Sequence, residues 1–71
     1  MNRTAKVLIQ SAILLLNATA KTIEDSGRVL IDQMRESNRQ PTPDEEIAIE
    51  EMQRAQGHLR DALVVLTRMT Q

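Results

Sequence analysis

Two stretches decide the fold of this chain: LNATAKTIEDSGRVL at residues 16–30 and AIEEMQRAQGHLRDA at residues 48–62. The first carries Leu or Ile at every seventh residue, and the second carries Ala at every seventh residue. Laid antiparallel, they pair large residues with small ones: Leu16 with Ala62, Ile23 with Ala55 and Leu30 with Ala48, interleaved with Ile13–Leu66, Ala20–Leu59 and Gly27–Met52. Such alternation lets two helices interdigitate closely, and close approach would explain Gly27. The sequence therefore predicts an all-α fold, an antiparallel helical hairpin.

The composition limits what the hairpin can be. A chain of 71 residues forms at most a single domain, 1–71, and a core of that size is only marginally stable without further support. The chain has no Cys, no aromatic residue and one His, so disulfides, thiolate metal sites and aromatic anchors are excluded. Self-association is the remaining way to stabilise such a small core. The net charge of −1 indicates no bulk attraction to nucleic acid or to acidic membranes.

The helix ends can be assigned from local signals. Thr42-Pro43-Asp44-Glu45 has the form of a capping box with Pro at the first helical position, which predicts helix 2 at about 43–70. Helix 1 is predicted at about 3–37, followed by a loop at 38–42, with Asn38 as a left-handed cap before Pro41. A kink near 17–22 is the alternative to one straight helix, because Thr19 and Thr22 are potential caps there.

We call the line of residues paired between the two helices the seam. Apolar residues outside the seam predict an assembly. A helix that is apolar over more than a third of its circumference generally has more than one neighbour. A homodimeric four-helix bundle, or a higher oligomer, would bury these residues. The predicted oligomer interface comprises Leu8, Leu14, Leu15, Val29, Ile49, Leu63 and Val65.

The N-terminal stretch has a competing interpretation. Arg3 and Lys6 precede the apolar run 7–16, and Ala18-Thr19-Ala20 has the form of a small-residue cleavage site, as in secretory signal peptides. The run is interrupted by polar residues at 10 and 11, and it supplies members of the seam. We therefore expect no cleaved signal, no membrane span and a cytoplasmic chain.

Catalytic and metal chemistry finds little support in the sequence. His58 is alone, with Glu51 and Asp61 as its neighbours on helix 2, and no Glu-x-x-His spacing of the di-iron type occurs. The isolated Gly27 and Gly57 form no phosphate loop. We therefore expect no enzyme activity, no cofactor and no metal.

Basic residues offer an alternative function, in which the protein binds a phosphate-bearing ligand. Lys21, Arg28 and Arg35 lie seven residues apart on helix 1, so they share one face. The candidate phosphate contacts are Lys21, Arg28, Arg35, Arg54, Arg60 and Arg68. The pattern is similar to that of the Rop-type hairpin dimers, which bind RNA. Acidic residues lie beside these bases, which is typical of an ordinary solvated helix, and no aromatic side chain is present to stack on a base.

A second resemblance points to a nucleotide ligand. Ile23-Glu24-Asp25-Ser26-Gly27, then Leu30-Ile31, Ala48 and the segment from Ala62-Leu63 to Arg68 are similar to the hairpin of small phage immune-evasion proteins. Those proteins sequester cyclic-nucleotide signals between subunits, often with the help of aromatic residues that this chain lacks. The resemblance implies Arg28, Arg54 and Arg68 as phosphate contacts.

Taken together, these features predict a non-enzymatic, oligomeric binding or adaptor protein that acts through protein–protein interaction in a regulatory role. The first alternative is the phosphate-ligand binder, with RNA or a cyclic nucleotide as its ligand. The second alternative is a structural assembly or scaffold element, whose higher oligomers would depend on Leu8, Leu14 and Leu15.

Overall fold

The computed structural model describes all 71 residues and contains two helices, α1 (Arg3–Ser37) and α2 (Pro43–Met69). They pack against each other as a hairpin that measures 54 × 15 × 15 Å. The predicted all-α hairpin is confirmed. Helix α2 ends at Met69, one residue before the predicted end.

Both ends of α1 are capped. The Asn2 side chain accepts a hydrogen bond from the Ala5 amide at 2.8 Å, which satisfies a free donor of the first turn. At the other end Asn38 adopts the left-handed conformation, with φ 49° and ψ 42°, and its amide donates to the Arg35 carbonyl at 3.2 Å. The prediction of Asn38 as a left-handed cap is confirmed.

The start of α2 contains the predicted capping box. The Glu45 amide donates to the Thr42 hydroxyl at 3.2 Å, and the Thr42 amide donates to the Glu45 carboxylate at 2.9 Å. Pro43 occupies the start of the helix, where its missing N–H costs no hydrogen bond. Acidic residues in this first turn, at 44–46, suit the positive end of the helix dipole.

Helix α1 is unbroken across residues 17–22. The two threonines that could have capped a new helix bond backward instead. The Thr19 hydroxyl donates to the Leu15 carbonyl at 2.9 Å, and the Thr22 hydroxyl donates to the Ala18 carbonyl at 3.0 Å. Each hydroxyl is thereby satisfied within the helix and does not cap a new one.

The seam between the helices contains most of the residues that are partly shielded from water. No residue is fully buried, and the shielded positions recur alternately at intervals of three and four residues. In α1 they include Ile9, Ile13, Leu16, Ala20, Ile23, Gly27, Leu30 and Met34, and in α2 Ala48, Met52, Ala55, Leu59, Ala62 and Leu66.

Gly27 confirms the register and corrects one expectation. A Cβ atom built on Gly27 would lie 4.0 Å from the Met52 sulfur, so these two positions face each other as predicted. That distance is an ordinary van der Waals contact. The expectation that close helix approach explains glycine at this position is therefore wrong, because a methyl group would fit.

Candidate binding surfaces

The seam leaves two sides of the hairpin open, and helical spacing assigns the residues of each. One side of α1 carries a band of uncharged residues that we call the stripe: Ala5, Leu8, Ala12, Leu15, Thr19, Thr22, Ser26 and Val29. The opposite side, the groove face, carries Arg28 and Arg35 of α1 and, on α2, Ile49, Gln56, Arg60 and Leu63.

The predicted interface residues divide between these two sides. Leu8, Leu15 and Val29 belong to the stripe, and Leu15 is 69% exposed. Leu14 shares the heptad position of Arg28 on the groove side and is 72% exposed. Val65 of α2 is also exposed, next to the stripe. Ile49 and Leu63 are half-buried and line the grooves. This division could be predicted from the heptad positions, because Leu14 and Leu15 are adjacent in sequence and therefore lie about 100° apart around the helix.

The groove face brings several of the predicted phosphate contacts together. Arg28, Arg35 and Arg60 line one groove of about 590 Å³, beside the apolar Ile31 and Ile49. A second groove of about 620 Å³ continues toward the helix termini, and it is lined by Arg60 together with Arg68. Arg60 thus contributes to both grooves. Acidic side chains, Glu24 and Asp32, also line the first groove.

The six candidate phosphate contacts differ in whether they already form an ion pair. Lys21 pairs with Asp25 at 3.2 Å and Arg28 with Glu24 at 3.0 Å, both along α1. Arg54 lies away from the grooves and contacts Glu50 at 3.0 Å and Glu51 at 2.7 Å. Arg35, Arg60 and Arg68 make no ion pair within the hairpin. These three are therefore the cations with the least competition for an incoming anion.

Gln56 lies on the groove face and makes a contact that the sequence did not predict. Its side-chain amide donates to the Ala20 carbonyl at 2.7 Å, and this bond joins the two helices across the seam. Gln56 lines both grooves, so the bond stands at their boundary. Its flanking position beside the seam, between Ile49 and Leu63 in the seven-residue repeat, was the available signal.

The loop contains a second unforeseen contact. Arg39 donates to the two oxygens of Glu45 at 2.6 and 2.8 Å, so the pair is bidentate. Glu45 also completes the capping box, and one carboxylate therefore fixes both the loop and the start of α2. The guanidinium of Arg39 and the amide of Thr42 lower the pKa of Glu45 from 4.5 to about 2. The same hydrogen bond raises the pKa of Arg39.

The other polar groups show no concentration of reactive chemistry. His58 is exposed on α2. No group of three or more His, Asp or Glu side chains is arranged to hold a metal ion.

One property of α1 bears on the membrane question. The helix contains an 18-residue window with mean hydropathy 1.2, which by length and composition alone is enough to cross a membrane. Signal sequences and the core helices of soluble proteins have the same composition.

Comparison with known proteins finds no matching family model, no matching curated protein and no matching solved structure.

Proposed function

We propose that this chain is a non-enzymatic, self-associating binding protein that presents a helix surface to a protein partner in a regulatory role. The observation that carries this proposal is the absence of any fully buried residue, together with eleven large hydrophobic side chains that are exposed. A hairpin alone leaves this apolar surface in water.

The energetic scale favours association. Burying one Val, Leu, Ile or Met side chain contributes about 1.5–3 kcal/mol. The whole stability of a small domain is about 5–15 kcal/mol. A few such side chains, buried between copies, would therefore contribute a free energy comparable to the whole stability of a small domain.

The experiment is sedimentation equilibrium at micromolar concentration, with two matched variants. Leu15→Lys places a charge on the stripe, and Ile47→Lys makes the same change at another exposed position, near the loop. We expect the wild-type mass to be a multiple of 8.0 kDa. Leu15→Lys should weaken association at least tenfold, and Ile47→Lys should change it little.

Two other outcomes have defined meanings. A wild-type helical monomer would contradict the proposal. A series of species that keeps growing with concentration, and that Leu8→Lys, Leu14→Lys or Leu15→Lys abolishes, would favour a structural assembly element instead.

A phosphate-ligand binder is the second candidate, and the groove lined by Arg28, Arg35 and Arg60 supports it. Convergence of guanidinium groups beside apolar side chains suits a nucleotide or an RNA backbone. The test is fluorescence anisotropy with a labelled 20-nucleotide RNA and, separately, a labelled cyclic dinucleotide. Arg35→Glu/Arg60→Glu should abolish binding. Arg54→Glu, away from the grooves, is the control. Equal binding by all three proteins would eliminate this candidate.

A further inference from the structure

We propose that the stripe of α1 docks on the stripe of a second copy, antiparallel, about a two-fold axis that passes between Ala12 and Leu15. This inference rests on the proposed self-association and specifies its geometry. In the resulting dimer Leu15 of each copy lies opposite Ala12 of the other, and Leu8 lies opposite Thr19.

The stripe suits an apolar interface along its whole length. It carries no charged residue between Ala5 and Val29, and Leu8 and Leu15 stand out as exposed. Its threonine hydroxyls are satisfied by their own helix, at 2.9 Å for Thr19 and 3.0 Å for Thr22. Covering these two threonines with another helix therefore leaves neither hydroxyl donor without a partner.

The stripe matches itself more closely than it matches α2. The same side of α2 carries charged residues, among them Glu51, Arg54 and Asp61. Docking the stripe of one copy on α2 of another would bring these charges against apolar side chains, which is costly. Docking stripe on stripe avoids that cost, and a two-fold axis makes each contact occur twice.

Size alternation limits the axis to two registers. Residues of the stripe whose numbers sum to 27 lie opposite each other, so Leu8 meets Thr19 and Leu15 meets Ala12. Large residues again meet smaller ones, as they do in the seam within the hairpin. A shift by one heptad would place Leu8 opposite Ser26 and would also alternate sizes, so a second criterion must decide between the two registers.

Charge on α2 supplies that criterion. Ile13, at the level of the axis, is paired across the seam with Leu66, so Val65 lies close to the axis. Asp61 and Arg68 flank Val65, and neither makes an ion pair within the hairpin. Arg68 is seven residues after Asp61 and shares its heptad position, so the proposed axis brings Asp61 of one copy beside Arg68 of the other. In the single hairpin the Arg68 side chain lines the second groove, and it would turn from there to make this contact. The shifted register moves the axis toward residues 61–62 and brings the two Asp61 side chains together.

The area that the stripe can bury is close to the minimum for a specific interface. Helical residues 3–24 of the two copies overlap, over about 33 Å of helix. With a hairpin width of 15 Å, the outline is roughly 500 Å² per copy, or about 1,000 Å² in total, the area that a specific protein interface is expected to reach.

The natural absence of cysteine permits a direct test by cross-linking. Leu8→Cys and Thr19→Cys chains are mixed, unfolded in urea, refolded together and oxidised. Disulfides require Cα atoms within about 7 Å, and residues 8 and 8, or 19 and 19, are separated by about 16 Å along the helix axis in this dimer. We expect a cross-linked dimer in the mixture and none with either variant alone. Val65→Cys, which lies at the axis, should cross-link to itself.

Each contrary result overturns a defined statement. Cross-linking of Leu8→Cys with Ser26→Cys, and not with Thr19→Cys, would establish the shifted register. A wild-type dimer by sedimentation that gives none of these cross-links would overturn the stripe interface and leave self-association intact. A wild-type monomer that co-sediments with vesicles of phosphatidylcholine and phosphatidylglycerol would assign the stripe to lipid, and would overturn both proposals.

Discussion

Glu45 shows how much a single side chain contributes at the scale of the residue. Its two oxygens accept hydrogen bonds from Arg39, and one of them also accepts the Thr42 amide. Only the ionised carboxylate can accept all of these bonds, which is why its pKa falls to about 2. Thr42, Pro43 and Glu45 were recognised from the sequence because a capping box is a local pattern. Arg39 was not recognised, because its contact depends on how the loop turns.

The lowered pKa of Glu45 predicts a pH dependence of stability. A carboxylate with a folded-state pKa below its unfolded value stabilises the fold above the unfolded pKa, and this stabilisation is lost as pH falls through the folded pKa. For Glu45 that window extends from about pH 4.5 down to about pH 2. Glu45→Gln should therefore reduce the fall in thermal midpoint across this window, measured by circular dichroism. Glu46→Gln is the matched control, and an equal pH dependence in wild type and Glu45→Gln would contradict the assignment.

Replacing either glycine is predicted to increase the stability of the hairpin. Neither needs glycine: a Cβ at Gly27 would lie 4.0 Å from the Met52 sulfur, and a Cβ at Gly57 would have nothing within 4 Å. Alanine is favoured over glycine inside a helix by about 1 kcal/mol. Gly27→Ala and Gly57→Ala should therefore each raise the free energy of unfolding in urea by about 1 kcal/mol. A loss of stability for Gly27→Ala alone would mean that the seam is tighter than these distances indicate.

At the scale of the element, the helix ends and the seam could be predicted from the sequence. The contacts of long polar side chains could not. Heptad spacing determines which face a residue occupies, and this was enough to place Gly27 opposite Met52. It does not determine the rotamer of a long side chain. Gln56 reaches the Ala20 carbonyl, and Arg60 reaches two grooves, through several rotatable bonds that a repeat does not specify.

The Gln56 bond predicts a measurable contribution to the pairing of α1 with α2. A hydrogen bond contributes about 0.5–1.5 kcal/mol net to stability. Gln56→Ala should lower the free energy of unfolding by about that amount. Gln53→Ala, one turn away and exposed, should have little effect. Equal values for the two variants in urea titrations would mean that the bond does not stabilise the hairpin.

At the scale of the whole molecule, the absence of a buried core is the dominant fact. The hairpin shields its seam only partly, and large apolar side chains remain exposed on both of its open sides. The sequence indicated that a neighbour was needed because the apolar pattern exceeds one face. The heptad positions also separate the stripe from the groove face, but they do not show that Gln56 and Arg60 line both grooves. The proposed function therefore depends on association between copies.

The concentration dependence of the thermal midpoint tests that dependence most directly. If folding and association are one process, a tenfold rise in concentration adds about 1.4 kcal/mol to the stability of a dimer. With an unfolding entropy of about 2.1 cal/mol/K per residue, the midpoint of the dimer should rise by about 5 °C for each tenfold rise in concentration. A midpoint that stays constant from micromolar to millimolar protein would show that the hairpin folds alone, and would contradict the central claim.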